Sequence, residues 1–159
     1  IQYGAFIRDW GYRQGRASYV VGNFGVMKSG GAFGSTLKVI VNDIDFQSGE
    51  LKHTPSAPHA IYARSASGVS NALSFVSSTP SDTPGSVFAI FRIDDRFAAI
   101  VENMLTTNRL DVLFNRKPKG IDVVVPLDLT VAETDNTARR TRKTTIVAEF
   151  SECVGSLSR

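Results

Sequence analysis

Short runs in which apolar and polar residues alternate are the feature that most constrains the fold of this chain. Leu37, Val39 and Val41 occupy every second position of the run STLKVIVNDIDF at 35–46. A period of two is that of a β-strand, so this run predicts a strand with one apolar face and one mixed face. Six further runs are typical of strands, at 17–27, 61–68, 72–78, 86–93, 109–114 and 121–130. Of these, 61–68 and 72–78 are predicted to pair with each other, because only a short loop separates them.

One internal segment follows the period of a helix instead. Its apolar residues recur with spacings of three and four, and they are Phe97, Ile100, Val101, Met104 and Leu105. This spacing places them on one helix face. Asp94 or Asp95 precedes them and suits the N-cap position, where a carboxylate accepts hydrogen bonds from free backbone N–H groups. We therefore predict a short helix between two strands.

The last segment, 144–157, favours a second helix. Its apolar stripe consists of Ile146, Phe150, Cys153 and Leu157, although TTIVAEF taken alone would also suit a strand. In this stripe Cys153 is predicted to be buried as a small apolar residue. The elements together predict one β-rich domain over residues 1–159, of the α+β class: a twisted antiparallel sheet or a β-sandwich with one short helix between strands and a C-terminal helix.

Composition and charge narrow the function classes only slightly. The chain has 159 residues and a net charge of +3, which is a small excess for a nucleic-acid-binding protein. No stretch approaches the roughly 20 apolar residues of a membrane-spanning helix. The first residue is Ile1 rather than Met. Removal of an export signal is one hypothesis for this, and a trimmed chain or an absent N-terminal segment are the alternatives.

Four residues have the chemistry of metal ligands. Asp43 and Asp45 are two positions apart, so a strand would place them on one face. His53 and His59 flank the loop TPSAP. If all four converged, they would form the site of a small metal-dependent hydrolase, which is one alternative function. For the pair of aspartates, and for Asp94 and Asp95 at the start of the predicted helix, we favour a structural role. No metal or other cofactor is predicted.

Motifs for other enzyme chemistry are missing from the sequence. There is no GxxxxGK[ST] phosphate loop, no GxGxxG turn that leads from a strand into a helix, and no GxSxG nucleophile elbow. The sequence therefore favours a protein without catalytic activity.

Two basic runs and two aromatic residues are candidates for partner binding. The run RRTRK contributes Arg139, Arg140, Arg142 and Lys143, and the hairpin loop NRKPKG contributes Lys117 and Lys119. Trp10 and Tyr12 belong to an N-terminal region rich in glycine and aromatic residues. Tryptophan, tyrosine and arginine dominate the centres of binding interfaces. A nucleic-acid-binding β module is a further alternative, although no aromatic residue lies within the basic runs.

The second half of the chain, roughly 72–157, resembles a known family. In order, it presents SVFAIFRIDDRFAAIVENML, RLDVLF, NRKPKG, IDVVVPLDL and VAEFSECVGSL. This order is similar to that of the small exported β-rich proteins of the invasion-associated locus B type in Gram-negative bacteria. The resemblance implies a periplasmic or secreted protein with no established enzymatic chemistry. We therefore expect a non-catalytic bacterial protein that binds a protein or another macromolecule at the cell envelope.

Overall fold

The computed structural model describes residues 1–47, 49–66, 72–133 and 140–157. The strands among them are β1 (Gln2–Arg8), β2 (Ala17–Ser29), β3 (Ala32–Gln47), β4 (Glu50–Pro55), β5 (Ala60–Arg64), β6 (Phe75–Pro80), β7 (Ser86–Arg92), β8 (Arg109–Asn115), β9 (Val123–Asp128), β10 (Val131–Glu133) and β11 (Arg140–Arg142). The helices are α1 (Trp10–Arg13), α2 (Asp95–Thr107) and α3 (Ile146–Ser156).

The strands form two main sheets in which every pairing is antiparallel. The larger sheet has six strands in the order β1-β2-β3-β7-β6, and β4 also pairs with β3. The length of β3 makes this possible, because residues 34–40 pair with β7 and residues 42–47 pair with β4. The second sheet has the order β5-β8-β9, and β10 and β11 form a separate ribbon.

The two sheets share one apolar core, an arrangement that fits a β-sandwich. Val39 and Val41 of β3 are fully buried in the same cluster as Val112 and Phe114 of β8. We call the core side of the six-stranded sheet its inner face and the opposite side its outer face. Burial of one large apolar side chain contributes roughly 1.5–3 kcal/mol, so these residues supply much of the driving force for folding. The predicted fold class, α+β and mostly β, is confirmed.

Both longer helices cover the inner face of β2. The ring of Phe24, which is fully buried, lies 6.2 Å from the ring of Phe97 in α2 and 5.6 Å from that of Phe150 in α3. The sequence predicted both helices. Asp94 caps α2 by accepting hydrogen bonds from the backbone N–H groups of Arg96 and Phe97. A hydrogen bond from Ser74, together with those from the backbone, lowers the pKa of the Asp94 carboxyl. Asp94 therefore has a structural role.

Gly22 of β2 makes room for the tyrosine of the edge strand β1. Tyr3 is directly opposite Gly22, and its hydroxyl donates to the Lys38 carbonyl at 2.8 Å. A Cβ atom at Gly22 would lie 1.8 Å from that carbonyl oxygen and 2.6 Å from the Tyr3 hydroxyl. Only glycine fits there without movement of the backbone. This contact fastens β1 to the sheet.

Two predictions from the sequence were wrong, one about which strands pair and one about the burial of Cys153. The runs at 61–68 and 72–78 do not pair with each other, because β5 pairs with β8 and β6 pairs with β7. Cys153 is exposed, since α3 turns Val147 into the core with Phe150 and Val154 beside it. The structure also contains the four-residue helix α1, which the sequence analysis did not predict. Among the described residues, no helix has the length and apolar character needed to cross a bilayer.

Candidate binding surface

Helix α1 presents the most exposed large hydrophobic side chain of the described residues. Asp9 caps the helix by accepting a hydrogen bond from the Tyr12 backbone N–H at 2.6 Å. Trp10 is 80% exposed. Its ring lies over Gly15, where an added Cβ would lie only 3.0 Å from the indole. The indole is therefore supported from below and open to solvent above.

Arg13 of α1 is buried and ties the helix to β3. Its Nη2 atom donates to both carboxylate oxygens of Asp45 at 2.8 Å. Its Nη1 atom donates to the Ile44 carbonyl at 3.1 Å and also to the Ala17 carbonyl. Its Nε atom lies 3.5 Å from Asp43 Oδ1. Because the guanidinium donates to a carboxylate and to two backbone carbonyls at once, its orientation is fixed and α1 has a defined position on the sheet.

Asp43 is the buried centre of the same network. It accepts a hydrogen bond from the Ser18 hydroxyl at 3.0 Å and one from Arg116 Nη2 at 3.1 Å. Arg116 also donates to the Ser56 hydroxyl and lies over the Tyr12 ring, with its guanidinium carbon 4.8 Å from the ring centroid. A buried carboxylate is stable only when it is paired and hydrogen-bonded. The structure meets this requirement with residues from three separate parts of the chain.

Charge in the network is slightly unbalanced. Arg16 approaches Asp45 at 3.4 Å, so three arginines, Arg13, Arg16 and Arg116, share two carboxylates. The difference of three and two leaves one excess positive charge. Because Asp43 and Asp45 are both occupied by guanidinium groups, their role is to hold arginines in place.

The loop between β8 and β9 lies against α1 and brings its lysines to the same end of the molecule. Ile121 of this loop contacts α1, since a Cβ at Gly11 would lie 3.6 Å from the Ile121 Cδ1 atom. Lys117 and Lys119 are exposed and form no ion pair with any residue that the structure describes. We call this surface the basic end, and it consists of Trp10, Tyr12, Arg116, Lys117 and Lys119.

Hydrogen bonds hold the base of this loop. The Tyr62 hydroxyl donates to Asp122, and the Asn115 side-chain amide donates to the other oxygen of Asp122 at 3.1 Å. Burial and this contact with Asp122 raise the pKa of Tyr62 to about 12. Burial also raises the pKa of Tyr12. Both phenols are therefore neutral hydrogen-bonding groups at physiological pH.

The second basic run does not join the basic end. Strand β9 separates the loop that carries Lys117 from the ribbon that carries Arg140 and Arg142, and its six residues span about 20 Å. Arg140 and Arg142 are exposed on β11, whereas Lys143 pairs with Glu149 at 2.8 Å. Arg139 lies outside the described residues. The predicted binding residues thus divide into two separate groups.

The four candidate metal ligands of the alternative function do not converge. His53 is opposite Ile44 in the β3–β4 pairing, so it projects from the outer face, whereas Asp43 and Asp45 project from the inner face. His59 lies at the start of β5, where its backbone N–H bonds to Asn115. No group of three or more potential ligands for a metal ion occurs in the described part of the chain. This geometry argues against the metal-dependent hydrolase.

Arg13 and Arg116 were not among the functional residues predicted from the sequence. The one available signal was the spacing of Asp43 and Asp45, because two aspartates on the same strand face require a cation when that face is buried. Nothing in the sequence showed which arginines would supply it. Ser18 and Ser56 carried no signal at all.

Comparison with known proteins adds no relative. No protein-family model matches the chain, and neither a curated protein nor a solved structure matches it. The geometry of the surface is therefore the basis for assigning a function.

Proposed function

We propose that the protein is a non-catalytic binding protein of the bacterial cell envelope that contacts a macromolecular partner through the basic end. The observation that carries this proposal is the exposed indole of Trp10 on a helix next to the loop with two exposed lysines, which form no ion pair within the described part of the chain. Trp10 is 80% exposed, and Lys117 and Lys119 stand on the adjacent loop. Tryptophan in this setting is typical of an interface centre.

The buried network beneath the basic end makes the surface suitable for binding. Arg13 holds α1 against β3, and Arg116 holds the β8–β9 loop against Asp43 and the Tyr12 ring. A surface that is fixed before binding loses little conformational entropy when the partner arrives. The binding residues therefore lie in front of a rigid support.

The chemistry of the basic end defines the kind of partner. The indole fits an apolar pocket, and the lysines fit carboxylates or phosphates at the rim of that pocket. We therefore expect an acidic surface with one apolar recess, on a protein or on another envelope component. The envelope location rests on the resemblance of residues 72–157 to exported proteins, and it is part of the proposal.

Site-specific photocrosslinking tests this proposal. A photoreactive amino acid at position 10 is compared with one at position 75, because Phe75 is also exposed, at 60%, but lies on β6. In cells that express the protein, the position 10 variant is expected to give a discrete adduct that the position 75 variant does not give. The same adducts from both positions, or none from position 10, would contradict a partner at the basic end.

Affinity measurements with the crosslinked partner then separate the two types of contact. Trp10→Ala is expected to weaken binding by about thirtyfold or more, the effect of losing a residue that dominates an interface. The double variant Lys117→Gln, Lys119→Gln is expected to slow association and to reduce its dependence on salt, because rim charges act mainly on the association rate. Equal, small effects from both variants would place the interface elsewhere.

A further inference from the structure

The outer face of the six-stranded sheet exposes large apolar side chains that the core does not use. Phe46 of β3 is 72% exposed, Phe6 of β1 is 69% exposed and Leu51 of β4 is 64% exposed. Phe46 and Leu51 are direct cross-strand partners. The ring of Phe6 stacks on that of Tyr19 with a centroid distance of 4.6 Å. Clustered exposure of this kind marks an interaction surface.

A cleft of about 470 Å³ lies within this apolar region. Arg8 and Arg16 line it, Ala17 and Ile44 contribute apolar lining, and Phe46 also borders it. Asp45 is the acidic residue of the lining, and it is already bound by Arg13 and Arg16. The cleft therefore combines a positive lining with an apolar border.

Charge on the outer face has one sign. Arg8, Lys38 and Arg92 project from it, according to the register of β1, β3 and β7. The acidic residues within the described parts of the sheet's strands are Asp43, Asp45 and Glu50. All three occupy positions of the inner face, because they alternate with Ile44 and Leu51. The outer face is thus complementary to an anionic partner that also offers apolar contacts.

We propose that an outer patch, consisting of Phe6, Arg8, Arg16, Phe46 and Leu51, docks onto the surface of an anionic phospholipid bilayer. The cleft between the two arginines receives a head-group phosphate. Phe46 and Leu51 enter the boundary between head groups and acyl chains, as exposed apolar residues do in peripheral membrane proteins. Basic residues next to them add attraction to the negatively charged surface.

A bilayer fits the patch better than a nucleic acid or a protein does. Single-stranded nucleic acids bind along successive aromatic rings, whereas the cross-strand partner of Phe46 is Leu51, which has no ring. The apolar residues spread across the four neighbouring strands β1-β2-β3-β4, which is about 14 Å in the direction of strand pairing. Among the described residues the acidic side chain at this patch is Asp45, which Arg13 and Arg16 already bind. A broad apolar strip with an excess of cations suits a plane. The inference does not depend on the proposed function of the basic end, because the outer patch and the basic end have no residue in common. Binding to pure lipid vesicles also requires no protein partner.

Co-sedimentation with lipid vesicles tests the inference. The folded protein is expected to bind vesicles of phosphatidylglycerol and phosphatidylcholine, and to bind pure phosphatidylcholine at least about fivefold more weakly. The variant Phe46→Ser, Leu51→Ser is expected to lose about tenfold or more in affinity for the mixed vesicles. The variant Arg8→Gln, Arg16→Gln is expected to lose about twenty-fivefold in affinity, at roughly fivefold for each charge near the surface.

A matched control and two rival outcomes keep the test decisive. Phe75→Ser removes a phenylalanine that is 60% exposed and lies outside the patch, and this variant is expected to bind mixed vesicles like the parent protein. Circular dichroism shows that each variant is folded. Absence of binding to the mixed vesicles, or an equal loss in Phe75→Ser, would overturn the inference. So would a labelled oligonucleotide or an envelope protein that needs the patch while the vesicles do not bind.

Discussion

The inner face of the six-stranded sheet is largely apolar and the outer face is mixed, but both carry large apolar side chains and only the inner face is covered. On β3, Val39 and Val41 are fully buried, whereas Phe46, on the other side of the same strand, is 72% exposed. The second sheet and two helices cover the inner face, and the described residues leave Phe46 open. Large apolar side chains on the two sides of one strand can therefore be buried in the core or left exposed, and tertiary contacts decide which.

The largest expected difference between the faces concerns their phenylalanines. Phe24→Ala on the inner face removes a fully buried ring that packs against both helices, and it is expected to lower the free energy of unfolding by about 3–5 kcal/mol. Phe46→Ala on the outer face is expected to change it by about 0.5 kcal/mol or less. Urea unfolding checks both. Similar losses in the two variants would show that the side chain of Phe46 is buried and would contradict the difference between the two faces.

A second prediction compares two arginines of the network. Arg13→Gln removes the buried guanidinium that contacts both Asp43 and Asp45, and it leaves the buried Asp43 with Arg116 as its remaining ion partner. We therefore expect a loss of about 3 kcal/mol in the free energy of unfolding. Arg16→Gln removes an exposed arginine 3.4 Å from Asp45, and the expected loss is about 0.5 kcal/mol or less. Urea unfolding of the two variants measures the difference. A small loss for Arg13→Gln would mean that solvent reaches the network.

The sequence predicts the secondary structure elements of the two faces, but not which strands pair. The runs at 35–46 and 86–93 were identified as strands because alternation is a local property, and α2 was identified because its cap and its apolar spacing are local as well. Strand partners are set by contacts distant in sequence. For this reason the predicted pairing of 61–68 with 72–78 was wrong.

Coverage of a face and the choice of ion partners are also non-local. Alternation could not show that Phe46 is open, and no local pattern links Arg116 to Asp43, which lies 73 positions away. The prediction that Cys153 belongs to the buried side of α3 was wrong for a different reason. Neighbouring helix positions differ by only about 100°, so Cys153 lies just beyond the buried sector that Val147 occupies.

Alkaline pH offers a third, smaller test, at the loop that supports the basic end. The folded-state pKa of Tyr62 is about 12, above the ordinary value of 10.0, because of burial and the contact with Asp122. The phenol therefore stabilises the fold fully below pH 10, and this contribution is lost as the pH rises from 10 to 12. In a phenolate absorbance titration, Tyr62→Phe is expected to remove a step near pH 12. A step at the ordinary pKa instead would mean that the Asp122 contact is absent.

The smallest expected effects concern the two sides of α3. Cys153→Ser is expected to change the free energy of unfolding by less than about 0.5 kcal/mol, because the thiol is exposed. Val147→Ala, which removes buried methyl groups, is expected to lower it by about 1–2 kcal/mol. In the native protein, thiol labelling of Cys153 should proceed about as fast as in urea. Strong protection of the thiol from labelling would show that Cys153 is buried and would contradict its exposed position.

The most direct test of the open binding surface uses Trp10, since it is the single tryptophan of the chain. Its fluorescence is measured in the isolated protein, with acrylamide as quencher, in buffer and again in concentrated urea. Nearly the same emission maximum and quenching in both conditions are predicted, because the indole is already 80% exposed in the folded protein. A blue-shifted, protected indole that becomes accessible only in urea would place Trp10 inside the fold and contradict the proposed surface.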